Sequence, residues 1–353
     1  MPKREDMTTY ELLEHLKETG SLEKEQWIRL LSSKKTEVRA FAKNMAAEIA
    51  REHFGNRIFI RGLIEFSNYC KNDCLYCGIR HSNRYTSRYR LSLHDILDCC
   101  HKGHALGFRT FVLQSGEDPY FNDERMVEII TAIKSRHPDC ALTLSIGERS
   151  RGAYETFFAA GADRYLLRHE TANTAHYASL HPQNMRLQTR LQCLQNLREI
   201  GFQTGCGLMV GSPGQTAECL AEDFLFMQSF QPHMVGIGPF IPHHDTALHD
   251  RPAGTLEQTL FLLSLTRIML KNVLLPATTA LATIHPEGRE QGILCGANVV
   301  MPNLSPTKVR GNYLLYDNKR NMGDEAAEGL SRLNEQLERI GYRTVRDRGD
   351  WCE

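Results

Sequence analysis

Apolar and polar positions change rhythm near residue 57. Before it the spacing is helical. TTYELLEHLKE offers Thr8 or Thr9 as N-cap and then places Leu12, Leu13 and Leu16 at helical intervals. EVRAFAKNMAAEIAREHFG repeats apolar residues every three or four positions and stops at Gly55. Residues 1–56 therefore read as a helical N-terminal extension. From residue 58, short apolar runs recur with helical stretches between them. Eight are recognisable: IFIRGLIEF (58–66), FVLQ (111–114), LTLSI (142–146), RYLLR (164–168), TGCGLMV (204–210), MVGIGPFI (234–241), LLPATTA (274–280) and NVVMP (298–302). LHDILDCCHKGHALG, DERMVEIITAIKSR and RLQTRLQCLQNLREIG are among the intervening helical segments. Strands alternating with helices imply parallel strands joined by right-handed crossovers. The expected class is α/β, with a closed (βα)8 TIM-type barrel over residues 57–305; a doubly wound open sheet is the alternative. Residues 306–353 are polar, contain one helical pattern at DEAAEGLSRLNEQLERIG, and read as a C-terminal flanking segment.

Composition narrows the function classes. A chain of 353 residues suits a barrel with terminal additions. With 41% hydrophobic and 24% charged residues, a packed core is expected rather than disorder. Lys plus Arg equals Asp plus Glu at 42 each, which gives no electrostatic case for nucleic acid or an anionic membrane as partner. The N-terminus lacks the apolar stretch of a signal peptide, and no apolar run approaches the roughly 18 residues of a membrane span. A cytoplasmic protein is expected. Eleven cysteines without a secretory signal argue against a disulfide framework. Cys140, Cys193, Cys206, Cys219 and Cys295 lie in apolar or mixed patterns and read as small buried hydrophobes.

The remaining chemistry gathers after the strands. FSNYCKNDCLYCGIR spaces Cys70-x3-Cys74-x2-Cys77 directly after the first strand. Three thiolates can hold three irons of a 4Fe–4S cube and leave the fourth open to an outside chelator. A position after a strand puts the loop on the C-terminal face, where barrel active sites form. Structural zinc is the competing reading; it wants four ligands, and His81 could be the fourth. LQSGEDPY places Gly116 and Glu117 in a tight turn after the second strand, next to Gln114 and Ser115; an ordinary loop with a helix-capping acid is the alternative. In RYLLRHETAN, Arg168 and Glu170 share strand parity and so one face, with His169 pointing out of the barrel. Two inward charges need a ligand or each other, so an internal salt bridge stays open. Gly211 and Gly214 in GLMVGSPGQT permit a turn close to a ligand. Gly205-x-Gly207 lacks the third glycine of a dinucleotide fingerprint.

Cys70-x3-Cys74-x2-Cys77 after the first strand resembles the signature of the radical S-adenosylmethionine (SAM) superfamily. That resemblance implies a 4Fe–4S cluster on Cys70, Cys74 and Cys77. Its open iron chelates SAM, and an external electron donor drives cleavage to a 5′-deoxyadenosyl radical. Tyr76 would lie near the adenine, Gly116 and Glu117 would bind the SAM amine, and Gln114 would sit beside them. Glu170 would take the ribose or amine. An arginine, Arg190 first and Arg168 second, would hold the carboxylate by bidentate hydrogen bonds. Met209 would lie near the adenosyl end.

Read together, FSNYCKNDCLYCGIR, LQSGEDPY, GADRYLLRHETAN, MVGSPGQT, MVGIGPFIPH, PATTA and CGANVVMPN resemble the FeFe-hydrogenase maturase family HydE over most of residues 58–305. The family implies a barrel with a large cavity and a part in building the hydrogenase di-iron subcluster. It also implies a small iron complex bearing cysteine, carbon monoxide and cyanide as substrate, with the maturases HydG and HydF as partners. In this family the radical is thought to attack a substrate sulfur. Some members hold a second cluster on three C-terminal cysteines; here the chain after residue 303 has only Cys352, so one cluster per chain is expected. Thr278 and Thr279 could offer hydroxyls to substrate or bond their own backbone. Arg310, Tyr313 and Tyr316 would close the far side. His243 and His244 read as solvated loop residues. Two other readings compete: a mutase like methylornithine synthase, which would need cavity acids for lysine, and a non-catalytic iron–sulfur scaffold.

Overall fold

The computed structural model describes residues 7–319 and 326–352. Its strands are β1 (Arg57–Ile60), β2 (Gly62–Ser67), β3 (Thr110–Ser115), β4 (Ala141–Ser145), β5 (Arg164–Leu166), β6 (Gln203–Cys206), β7 (Met209–Val210), β8 (Met234–Val235), β9 (Gly238–Pro239), β10 (Val299–Val300) and β11 (Arg343–Val345). A parallel sheet runs β2-β3-β4-β5-β6-β8. The circle closes through single bridges, Met234 to Leu274, Pro276 to Val299 and Leu63 to Asn303, and through the pairing of β1 with β10. The seventh apolar run contributes only bridges, because Pro276 has no N–H for a regular ladder. The chain then turns into the helix Thr279–Ile284, so residues 279 and 280 are helical rather than strand.

Three of the runs are broken where a continuous strand is expected. The first divides at Arg61, the fifth at Gly207 and Leu208, and the sixth at Gly236 and Ile237. A Cβ on Gly207 would lie 2.1 Å from the Gly236 carbonyl oxygen, so the two backbones touch there and the ladder is interrupted without a change of register. Beyond that contact β7 pairs with β9 as a separate two-stranded ribbon at the mouth.

The N-terminal helices wrap the outside. Thr8 caps Thr9–Thr19 in a reciprocal pair with Glu11, and Gly20 ends that helix in the left-handed conformation. Trp27, on the helix Lys24–Leu31, packs its ring 4.5 Å from Phe224 of Ala217–Phe230 and donates from Nε1 to Gln228. Leu12, Trp27 and Val38 belong to the same apolar core as Phe224 and Leu263.

The far C-terminus holds an element that the polar tail did not announce. After the helix Ala326–Arg339, β11 pairs in parallel with β1. Residues 348–351 then cross the N-terminal face of the barrel. Arg164 donates to the Arg348 carbonyl at 2.8 Å and to Asp350 at 2.6 Å, and Thr110 donates to the same carbonyl at 2.7 Å. Burial works to raise the Asp350 carboxyl, but hydrogen bonds from Arg348 and the Arg164 charge outweigh it and hold the group at about 2. The barrel is thereby stoppered below, and its interior opens above. Among the described residues, no helix is long and apolar enough to cross a membrane.

Candidate active site at the mouth of the barrel

The cysteine loop is fixed by backbone bonds to its surroundings. Lys71 N–H donates to the Glu117 carbonyl, Leu75 to Leu180 and Gly78 to Leu315, each at 2.9 Å. Cys70 meets the next loop directly: a Cβ on Gly116 would lie 2.7 Å from its Cβ, and Glu117 N–H donates to its Sγ at 3.4 Å. Glycine at 116 is thus required for the two loops to abut. Among the described residues, the sets of ligand atoms lying within 4.8 Å of one another do not include these sulfurs. One tetrahedral zinc would hold its thiolates about 3.8 Å apart, given Zn–S bonds of about 2.3 Å. The three sulfurs, not all within 4.8 Å of one another, stand wider apart than a single zinc would hold them. Burial pushes all three thiols up, Cys77 to about 12, so a bound cation is needed to keep them as thiolates.

A cavity of about 330 Å³ opens beside the loop. It is lined by Cys70, Cys74, Cys77, Tyr76, Gln114, Gly116, Glu117, Arg168, Glu170, Arg190, Met209, Thr278, Thr279, Tyr313 and Tyr316. Arg310 is absent from this wall. Its Nε donates to the Ser305 carbonyl at 2.6 Å, which turns the buried guanidinium into the packing of the flanking segment. His243 also differs from expectation: it is buried against Gly78, while His244 is exposed and bonded to Asp317. His169 points outward, towards the helix Ala217–Phe230, with Nε2 3.2 Å from Asp223.

The polar groups of the cavity are tightly arranged. Arg168 and Glu170 form the internal pair that was one of the two readings, at 2.9 Å, yet both still face the cavity. Their shared face does not come from strand parity, because β5 ends at Leu166 and Glu170 has a left-handed backbone with φ of 64°. Glu117 is no helix cap: Asn122 caps Asp123–Arg136. Instead the Glu117 carboxylate accepts from Glu148 N–H at 3.0 Å and lies 3.3 Å from Lys71 Nζ. A Cβ on Gly147 would fall within 2.1 Å of the Glu117 side chain, so that wall must also be glycine. Arg190 gives Nε to Glu148 at 2.5 Å and Nη1 to the Arg168 carbonyl at 3.0 Å, leaving Nη2 the least engaged, 3.8 Å from Glu117. Burial works against its charge, but the Glu148 and Glu117 carboxylates overcome that and raise its pKa further.

Several residues on the cavity wall or directly behind it escaped the sequence reading. Glu65 is buried and paired with Lys319 of the flanking segment, with Asn303 donating to it at 2.8 Å. The signal for Glu65 was present, an acid at inward parity with Leu63 in an apolar strand; Lys319 gave none. Glu148 and His181 gave none either. His181 Nδ1 lies 2.9 Å from the Tyr177 carbonyl, so that nitrogen carries the proton and Nε2 accepts from the Tyr76 hydroxyl at 3.2 Å. Burial lowers the His181 pKa to about 4, which keeps the ring neutral for this task. Two buried donors on cavity residues, Thr278 Oγ1 and Arg168 Nε, have no partner among the described residues. The donor set fits both groups that the cysteine signature implies: three soft ligands for a cluster, and unpaired donors beside acids and an aromatic ring for SAM.

Comparison with known proteins bears on the family and the fold. The family model of the radical SAM superfamily matches residues 64–227. The [FeFe] hydrogenase maturase subunit HydE of Thermotoga maritima is 44% identical over 305 residues, covering 86% of this chain and 87% of that one. The 3-methylornithine synthase of Methanosarcina barkeri is 28% identical, with 85% and 84% covered. Among solved structures, methylornithine synthase (PylB) superposes with a TM-score of 0.83 at 25% identity, over 95% of this chain and 97% of that one. HydG, a maturase of the [FeFe]-hydrogenase, gives 0.81 at 20% identity over 97% and 78%, a likeness of fold.

Proposed function

Because the chain belongs to the HydE family of [FeFe] hydrogenase maturase subunits within the radical SAM superfamily, we propose that it cleaves SAM in this cavity and acts in assembly of the hydrogenase di-iron subcluster. The observation that carries the reading is the convergence of Cys70, Cys74, Cys77, Gly116, Glu117 and the Arg168–Glu170 pair on one cavity at the C-terminal ends of the strands. Cys70, Cys74 and Cys77 would hold a 4Fe–4S cluster, which, reduced by an external donor, would supply the electron for reductive cleavage of SAM.

The chain's own residues bind and orient. Tyr76 offers a ring face to the adenine, and His181 fixes its tilt through the hydroxyl. The loop at Gly116 brings backbone acceptors to the SAM amine. Arg190 presents Nη2 to the carboxylate; Glu170, steadied by Arg168, takes the ribose or amine. Met209 packs with Leu180 and Phe240 at the adenosyl end and excludes water. Thr278, Thr279 and Tyr313 lie where a substrate would sit, and we assign to them a small cysteine-bound iron carbonyl and cyanide complex. HydG as supplier and HydF as recipient are the corresponding partners.

Methylornithine synthase shares the fold, but a lysine substrate would need uncompensated cavity acids. Glu65, a buried acid on the cavity wall, already carries Lys319 and Asn303, which favours the maturase reading. Anaerobic reconstitution with iron and sulfide tests the proposal. About four irons per chain and 5′-deoxyadenosine on reduction with SAM are expected. Zinc in place of iron, or an intact cluster that never cleaves SAM, would overturn it.

A further inference from the structure

The loop beyond the cysteines carries charge out of proportion to the rest of the molecule. Residues 71–90 contain five Lys or Arg and one Asp, in a chain of zero net formal charge. Most of these cations have structural duties. Arg88 donates to the Ile79 and Arg80 carbonyls, Arg80 pairs with Asp73 at 3.2 Å, and Arg90 pairs with Asp118 at 2.7 Å. Arg84 is exposed and has no such bond among the described residues. Next to it Tyr85 is 87% exposed, about twice as open as Tyr10, Tyr120 or Phe158. An aromatic ring this exposed does nothing for the core.

The segment that carries these two side chains is nevertheless held in place. Asn83 Nδ2 and Thr86 Oγ1 donate to the Gly78 carbonyl at 2.7 and 3.1 Å, and Tyr85 N–H donates to Asn83 Oδ1 at 3.0 Å. Gly78 follows Cys77 directly. A rigid, cationic, aromatic knob is thus anchored one residue from a cluster ligand, with a short bonded route from Tyr85 through Thr86 to the Gly78 carbonyl.

We propose that the face centred on Arg84 and Tyr85, with His81 and Lys71 on the same loop, is the docking surface for a small acidic one-electron carrier protein. The inference rests on the reading that the cluster is held by Cys70, Cys74 and Cys77. One electron leaves the reduced carrier, whose centre is oxidised by one unit, and the cluster is reduced by one unit; no bond is made or broken. Rim cations near the transfer point raise encounter rates with an acidic partner, and an exposed tyrosine gives the encounter complex an anchor. The free positive charge here is too small to neutralise a run of phosphates, which sets nucleic acid apart.

The test is stopped-flow reduction of the reconstituted holoenzyme by reduced flavodoxin, an acidic protein, and separately by the methyl viologen radical cation. Calorimetric binding of oxidised flavodoxin accompanies it. Arg84→Glu and Tyr85→Ser are each expected to slow flavodoxin reduction about tenfold at low salt, with the Arg84→Glu effect fading near ~0.5 M salt. The viologen rate should stay unchanged for Tyr85→Ser, and unchanged or faster for Arg84→Glu. Unaltered flavodoxin rates and binding, or equal slowing with both reductants, would overturn the inference; so would DNA competing as well as polyglutamate. Wild-type protein that accepts electrons from viologen yet never cleaves SAM would count against the proposed function while leaving the docking comparison readable.

Discussion

Thr278 occupies the N-cap position of Thr279–Ile284 without using its side chain as a cap. Its buried hydroxyl has no partner among the described residues, and an unpaired buried polar group costs about 1–3 kcal/mol. Thr278→Val should therefore raise the thermal midpoint of the substrate-free protein by the equivalent of ~1 kcal/mol while weakening substrate turnover. Calorimetry and product assays read the two effects, and a variant no more stable than wild type would show the hydroxyl already satisfied. Cys74→Ser should lose most of its iron yet keep the circular dichroism of the folded barrel; full SAM cleavage by it would sink the cysteine assignment. His181 gives a pH signature. Its folded pKa, about 4, lies below the ordinary 6.5, so the unfolded chain binds more protons between those values. Stability is fully present above about pH 6.5 and is lost as pH falls towards 4. His181→Gln should flatten that slope; urea midpoints at pH 5 and pH 7 that change as they do in wild type would exclude His181 as its source.

At the scale of elements, the positions that break strands are also those that shape the cavity. Gly207 is the clearest: a methyl there meets a carbonyl oxygen, not a yielding side chain. Gly207→Ala should cost about 1–3 kcal/mol in a denaturant titration and splay β7 from the mouth. The alternation of apolar runs with helical stretches made the barrel readable, as did the three cysteines after the first strand, because both are local patterns. What could not be read is set by contacts between distant segments. Breaks at Arg61 and Gly207 depend on the approach of a neighbouring strand. The Glu65–Lys319 and Tyr76–His181 partnerships join segments with no common period. β11 is three residues long, Arg343–Val345, too short to show a strand period, and pairing with the edge of β1 makes it a strand. Arg310 was misassigned for the same reason: its proximity in sequence to Tyr313 says nothing about which way a four-residue helix turns it.

For the whole molecule, the stopper at the N-terminal face ties the last residues to the first residues of three strands. Asp350 is its electrostatic centre. With a folded pKa of about 2 against an ordinary 3.8, its contribution is present above about pH 4 and disappears as pH falls towards 2. Asp350→Asn should lower the thermal midpoint at pH 7, with the gap to wild type closing below about pH 3; a gap independent of pH would assign the loss to packing. The pairing of Arg57 with Arg343 in adjacent strands has a further consequence. A ribosome releases β1, β2 and the three cysteines early, with one flank of the sheet still unpaired. That flank stays open until residues 299–345 have emerged. The loop that carries the three cysteines is thus made long before the segments that flank β1, and it first meets solvent beside a sheet that is still open.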